Sequence, residues 1–399
     1  MRIYASKLKL LTLPLALIIL TWHLYNSKDS QLTIKSLDGI LYIQRNVSTE
    51  MHDEQFCVCY QFLEATETFR EDGLEPITLA VHGSPEVLGE IENKPFNWDG
   101  PISFGLFIDF HSQHALNYIS MLHKCHADFR RKTTVHFAFR ISPSQTECPV
   151  IYTSGYKDCV TFFQKNTELL EEMEDPFQIY PINLMRNIAR RGAKSDLHLI
   201  VDTDMVMSTN FAKMVKPVAN RMIDGMNKQV LVVRRFETNE TELPLNLDEL
   251  EQGLLNENTF EFHHSFFFVG HQIPNLSEWF ENSYASEETT AWEIPYTGSD
   301  WEVQIILHRN DPYNIEYFPS RVRDMQSLIY KLCRANYTFN LLSHVFNVHK
   351  GIKEDDTMYS KVVTAHTKQF WKMRTLSRYT AEIDKQYPDT TTRCGPFTI

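Results

Sequence analysis

The sequence predicts an α/β fold with a mostly parallel central sheet, preceded by an N-terminal signal-anchor helix. Three observations carry this. Runs of β-branched and aromatic residues alternate with helix-like segments from Phe56 to Val206. One apolar strand, Leu197 to Val201, ends in two acids, Asp202 and Asp204. The first 25 residues hold an apolar run set apart from the rest. The 399 residues are 43% hydrophobic and 23% charged, a globular balance that excludes a disordered or fibrous chain. A net charge of −12 excludes a basic chain built to coat nucleic acid.

The N-terminal run, Leu8 to Tyr25, contains only Lys9 and His23 as ionisable groups. Its length is at the short end of the roughly 17–25 residues that span a bilayer. A cleaved signal peptide needs small residues after its apolar stretch, whereas Trp22-His23-Leu24-Tyr25 follow here. Arg2, Lys7 and Lys9 favour a cytoplasmic start. The expected plan is a cytoplasmic tail (1–7), a transmembrane signal-anchor (8–25), a short polar stem (26–51) and one luminal domain (52–399). Asn46, Asn239, Asn275 and Asn336 begin glycosylation sequons and agree with a secretory lumen. There the seven cysteines are free to pair, and an odd count leaves at least one outside intramolecular pairs. Cys57 and Cys59, one residue apart in a strand-like run, point to the same side.

The elements follow in order. CVCYQF (57–62), ITLAVHG (77–83), ISFGLFID (102–109) and TVHFAFR (134–140) read as strands. His114 to Phe129 and Val160 to Met173 read as helices. Pro181 opens another that runs to Gly192, since proline suits a first helical turn. The buried strand before Asp202 comes next, then Gln229 to Val233. Beyond it the pattern turns irregular and aromatic, suiting loops that hold an acceptor. Arg186, Arg190, Arg191 and Lys194 recur at helix spacing, either as a solvated face or beside a phosphate.

Asp202-Thr203-Asp204 is the sharpest chemical signal. Ligands of open α/β sheets bind outside the carboxyl ends of strands. Two acids there can share one hard cation such as manganese or magnesium. Haloacid-dehalogenase phosphatases use the same letters, and Asp202 to Val206 fits them. Their nucleophile opens its domain, however, and here a long α/β pattern precedes it. The second signal is Phe346-Asn347-Val348-His349-Lys350-Gly351. It offers an imidazole ligand, a cation for a phosphate and a glycine for close backbone approach. Imidazole joined to carboxylates leans the metal toward manganese.

Five stretches together resemble glycosyltransferase family 49: YPINLMRNIARRGA (180–193), LIVDTDMV (199–206), VVRRFE (232–237), WEVQ (301–304) and VHKG (348–351). The resemblance implies a GT-A fold, manganese (or magnesium), a UDP-sugar donor and a glycan or glycoprotein acceptor. It implies Asp202, Asp204 and His349 as metal-site residues. Tyr180, Asn183, Arg186, Asn187, Lys350 and Gly351 are then donor-binding. It also implies inversion, which needs a carboxylate base, with Glu302 first and Asp300 and Asp324 in reserve. Three departures fall on the acceptor side: Val303 stands for proline, Asn314 to Phe318 lose one acid, and Asp324 replaces asparagine. The resulting expectation is a Golgi type II membrane glycosyltransferase moving a sugar, glucuronic acid first. The alternative is a luminal glycan- or UDP-sugar-binding protein that keeps the scaffold without turnover.

Overall fold

The computed structural model describes residues 32–37, 40–109, 111–153, 158–176, 178–356, 358–370 and 372–398. The expected tail and signal-anchor lie outside them. No helix among the described residues is long and apolar enough to cross a membrane. Within the expected stem, β1 (Leu32–Leu37) and β2 (Ile40–Val47) form an antiparallel hairpin, so part of that segment is strand rather than unpatterned chain.

β3 (Glu50–His52) was not predicted, whereas β4 (Phe56–Leu63), β5 (Ile77–Gly83), β6 (Ile102–Ile108) and β7 (Thr133–Arg140) match the four predicted strand runs closely. Every residue of β5 and β6 is buried, which is why they read as unbroken apolar runs. β8 (Ile151–Thr153) pairs with β2. β9 (Leu197–Ile200) lies parallel to β5, with Ile77 opposite Leu197. The rest are β10 (Met205–Met207), β11 (Gln229–Thr238), β12 (Thr259–Glu261), β13 (Ala291–Ile294), β14 (Gln304–His308) and β15 (Thr338–Lys350).

The main sheet runs β10-β15-β11-β14-β9-β5-β6-β7-β4-β3. β9-β5-β6-β7 is parallel, as is β11-β15. β14 enters between β9 and β11 antiparallel to both, and β10, β3 and β4 are antiparallel to their neighbours. The sheet is therefore mixed, a correction to the mostly parallel expectation. An apolar run fixes that a strand is buried but not which way its neighbours point.

Helices cover the sheet. The segment 114–129 divides into His114–Cys125 and Ala127–Lys132 because His126 caps the second piece, its Nδ1 accepting from Phe129 N at 3.1 Å. The segment 160–173 divides likewise, into Cys159–Gln164 and Asn166–Glu171. Helix Ile182–Gly192 packs on β5 and β6, and Gly105 lets it come close: a Cβ there would stand 3.2 Å from the Met185 carbonyl oxygen. One apolar core gathers around Phe104, Leu106 and Leu116, and another around Trp279, Trp301 and Phe346. Disulfides join Cys57 to Cys148, Cys125 to Cys159 and Cys333 to Cys394. Cys57 and Cys59 face the same core, and Cys59 stays outside the three disulfides.

Candidate active site

The acid-bearing turn hangs from the two central parallel strands. Val201 N donates to the Ala80 carbonyl at 3.3 Å, and the Thr203 hydroxyl donates to the His82 carbonyl at 2.8 Å. Thr203 is thereby buried, while Asp202 and Asp204 turn the other way. The chain continues into β10, which pairs antiparallel with the end of β15, Met205 opposite His349. That register brings Asp204 Oδ2 to 3.3 Å from His349 Nε2. His349 Nδ1–H donates to the Gly351 carbonyl at 2.7 Å, which leaves Nε2 toward the acid. Gly351 has φ 106°, a region that favours glycine, and its carbonyl orients the ring from there. Burial disfavours the imidazolium, but the hydrogen bond and charge of Asp204 outweigh it and raise the His349 pKa above its usual 6.5.

Asp202 faces two arginines. Arg186 Nη2 lies 3.5 Å from one carboxylate oxygen and Arg235 Nη2 3.6 Å from the other. Burial works against ionisation, yet these guanidiniums hold the Asp202 carboxyl well below the usual carboxylate range. Arg235 rests over the Phe262 ring at 3.8 Å. Arg186 also donates to Asp324 Oδ1 at 2.8 Å, so one buried guanidinium bridges two acids.

Glu302 lines the same cavity as Arg186, Asp202, Arg235, Gln304 and Met325. Gln326 Nε2 donates to its carboxylate at 2.9 Å. Burial, then the charge of Asp324, pushes its pKa up to about 7, against the pull of Arg235 and Arg186. The reserve acids differ. Asp324 is buried and saturated by Arg186 and by Arg321 N at 2.9 Å. Asp300 is ion-paired with Arg323 and does not line the cavity.

The remaining predicted residues occupy distinct places. The Tyr180 hydroxyl hydrogen-bonds His82 Nδ1 at 2.7 Å, at the end of β5. Burial, and then Arg186, depresses the His82 pKa to about 4, so that ring is neutral. Asn183 donates to the carbonyls of Ile315 and Asp324, and Asn187 to Asn314 O and Glu316 Oε1. Both amides are buried and spend these bonds on fixing segment 314–324 to the helix. Lys350 is exposed at the end of β15. Of the basic cluster, Arg186 alone reaches the acids. Arg190 is buried against backbone carbonyls, Arg191 pairs with Glu316 at 2.9 Å and Lys194 with Glu64 at 2.8 Å.

Sequence reading passed over Arg235, His82, His263 and His271. His271 Nδ1–H donates to the Glu302 carbonyl at 3.0 Å, and its Nε2 accepts from His263 Nδ1–H at 3.0 Å, so the pair buttresses the Glu302 backbone. Two consecutive arginines within a buried strand, Arg234-Arg235, were the available signal, because buried guanidiniums need anionic partners.

Asp204 and His349 fit a divalent cation. The imidazole is oriented by a backbone carbonyl, the usual support for a metal-ligating histidine, and the donor set is mixed oxygen and nitrogen. Asp202 is drawn toward the arginines, so the three groups do not converge as tightly as His52, Asp53 and Glu316, whose ligand atoms lie within 4.8 Å of one another. That second cluster is an ion-pair network: Glu316 meets His52 at 2.6 Å and Arg191 at 2.9 Å. Asn239, Asn275 and Asn336 are exposed.

Two acids at the carboxyl end of a parallel strand, facing arginines and a buried carboxylate across a cavity, make a site of the kind a glycosyltransferase uses. The chain belongs to the glycosyltransferase family described as "Glycosyl-transferase for dystroglycan", whose model matches residues 76–388. It is 25% identical over 337 residues to human beta-1,4-glucuronyltransferase 1, covering 80% of this chain and 77% of that one. It is 23% identical over 291 residues to the xylosyl- and glucuronyltransferase LARGE2s of Danio rerio, covering 72% of this chain and 33% of that one. Among solved structures, GalNAc-T7 with UDP, GalNAc and Mn2+ covers 82% of this chain and 56% of that one at 10% identity and a TM-score of 0.41, too loose a likeness to bear on the site.

Proposed function

We propose that this glycosyltransferase has a GT-A fold, takes a UDP-sugar donor, with glucuronic acid first, and transfers to a glycan hydroxyl with inversion in the presence of manganese. One observation carries the reading. The pairing of Met205 with His349 sets Asp204 against an oriented imidazole, beside a cavity that Asp202, Arg186, Arg235 and Glu302 share. Asp202, Asp204 and His349 would hold the cation, which supplies charge neutralisation of a diphosphate leaving group.

The chain's own residues do the rest. Arg186 and Arg235 fix the Asp202 carboxylate in its ionised form. Asp324 fixes Arg186 in turn. Glu302, poised at about 7, takes the acceptor hydroxyl proton at a carboxylate oxygen as the hydroxyl oxygen bonds to the anomeric carbon of the sugar and the bond from that carbon to UDP breaks. Asn183 and Asn187 act as positioning residues, because they clamp the segment that carries Asp324. A type II Golgi protein with 52–399 in the lumen completes the proposal; three exposed sequons and three disulfides support it. The test is a panel of UDP-sugars with manganese. Release of UDP from UDP-glucuronate above the other donors is expected, and no release from any donor would reject the reading.

A further inference from the structure

The loop at 319–324 carries an arginine beside the site. Arg321 is exposed and, among the described residues, has no ion-pair partner. Its neighbour Arg323 is satisfied by Asp300. Arg321 holds φ 65°, a left-handed conformation that a non-glycine residue keeps only when its surroundings impose it. They do so here. Arg321 N donates to Asp324 Oδ2 at 2.9 Å, and the Ser320 hydroxyl donates to the Tyr180 carbonyl. Asp324 is itself fixed by Arg186, which lines the cavity, and Tyr180 is fixed by His82. The loop is thus pinned to both sides of the site.

The field of Arg321 reaches the same place. It acts on Asp202, which lines the cavity, and on Lys353. Lys353 Nζ sits 4.1 Å from the Phe266 ring centroid and, among the described residues, has Asp356, at 3.5 Å, as its one ion partner. Arg321 and Lys353 are like charges close enough to act on one another, and the positive potential they share attracts an anion.

We infer that Arg321 is a donor-contacting residue whose guanidinium binds anionic oxygens of the bound nucleotide-sugar, on its diphosphate or on a uronate carboxylate. The planar fork of the guanidinium suits either group. This assignment rests on the donor reading above.

Calorimetry on the full chain with manganese, using UDP, UDP-glucose and UDP-glucuronate, tests it. Arg321→Gln should weaken binding by about tenfold or more, the scale of one charge-assisted hydrogen bond. An equal loss for all three ligands places Arg321 on the diphosphate. A loss confined to UDP-glucuronate places it on the carboxylate. Arg321→Lys should recover part of the affinity. Unchanged binding of all three by Arg321→Gln would overturn the assignment while leaving the donor reading intact. Equal weakening by Arg323→Gln would make the effect a property of the loop's fold and would overturn it too. Failure of the wild-type chain to bind any UDP compound would remove the donor reading, and this assignment with it.

Discussion

Replacing Asp324 with asparagine separates the electrostatics of the site from its packing. Asp324 is 8% exposed, Arg186 is 4% exposed, and they meet at 2.8 Å. Removing one charge of a buried pair leaves the other uncompensated, at a cost of about 3–5 kcal/mol. Asparagine keeps an acceptor for Arg186, and Asp202 still stands 3.5 Å from it, so the expected loss is at the low end, about 3 kcal/mol. Denaturant midpoints read this directly. The chemical effect is sharper. Burial and then Asp324 hold the Glu302 pKa up at about 7. With that charge gone, Arg186 and Arg235 act against burial and the smaller push of Asp202, and the Glu302 pKa falls. A base works deprotonated, so activity declines as pH drops through its pKa. The acidic limb of kcat/KM against pH, followed over roughly pH 5 to 9, should therefore shift to lower pH in Asp324→Asn. A limb that stays in place or moves up would refute Glu302 as the titrating base.

Three further outcomes follow from the geometry. Asp204→Asn should abolish manganese-dependent UDP binding while leaving the melting temperature nearly unchanged, because Asp204 is exposed and, among the described residues, ion-pairs with His349 alone; wild-type binding would remove Asp204 from the metal site. Gly351→Ala has space for the methyl, whose nearest neighbour is His349 Cε1 at 3.7 Å, but φ 106° is strained for alanine by about 1–2 kcal/mol. A small drop in melting temperature and a larger drop in manganese affinity are expected, since the carbonyl that orients His349 moves, and unchanged manganese affinity would contradict this. Protein from a eukaryotic secretory host should shift in mobility after peptide-N-glycosidase, at two or more of Asn239, Asn275 and Asn336, whereas no shift would argue against a luminal domain.

How much of this the sequence disclosed depends on distance along the chain. β5, β6 and β7 were legible because their burial on both faces leaves an unbroken apolar signature. The acid pair was legible because both acids sit at one strand end. The meeting of Asp204 with His349 was only a hypothesis, since a register between residues 145 positions apart leaves no local mark. The antiparallel entry of β14 was hidden for the same reason. Asn183 and Asn187 looked like ligand contacts because an amide that binds a substrate and an amide that clamps a loop have the same letter; only their burial against 314–324 separates the two. Arg235 was hidden inside a strand motif, and its function depends on Asp202, 33 residues upstream, lying across the sheet.

Titration of UDP into the protein with manganese, and again with EDTA, tests the metal-dependent donor site most directly. The account predicts binding in manganese, its loss in EDTA and its return when manganese is added in excess. Affinity would also fall as pH drops from above the usual histidine value, because His349 must be neutral to bind a metal and Asp204 favours its protonated form. Equal UDP affinity in manganese and in EDTA would contradict the account.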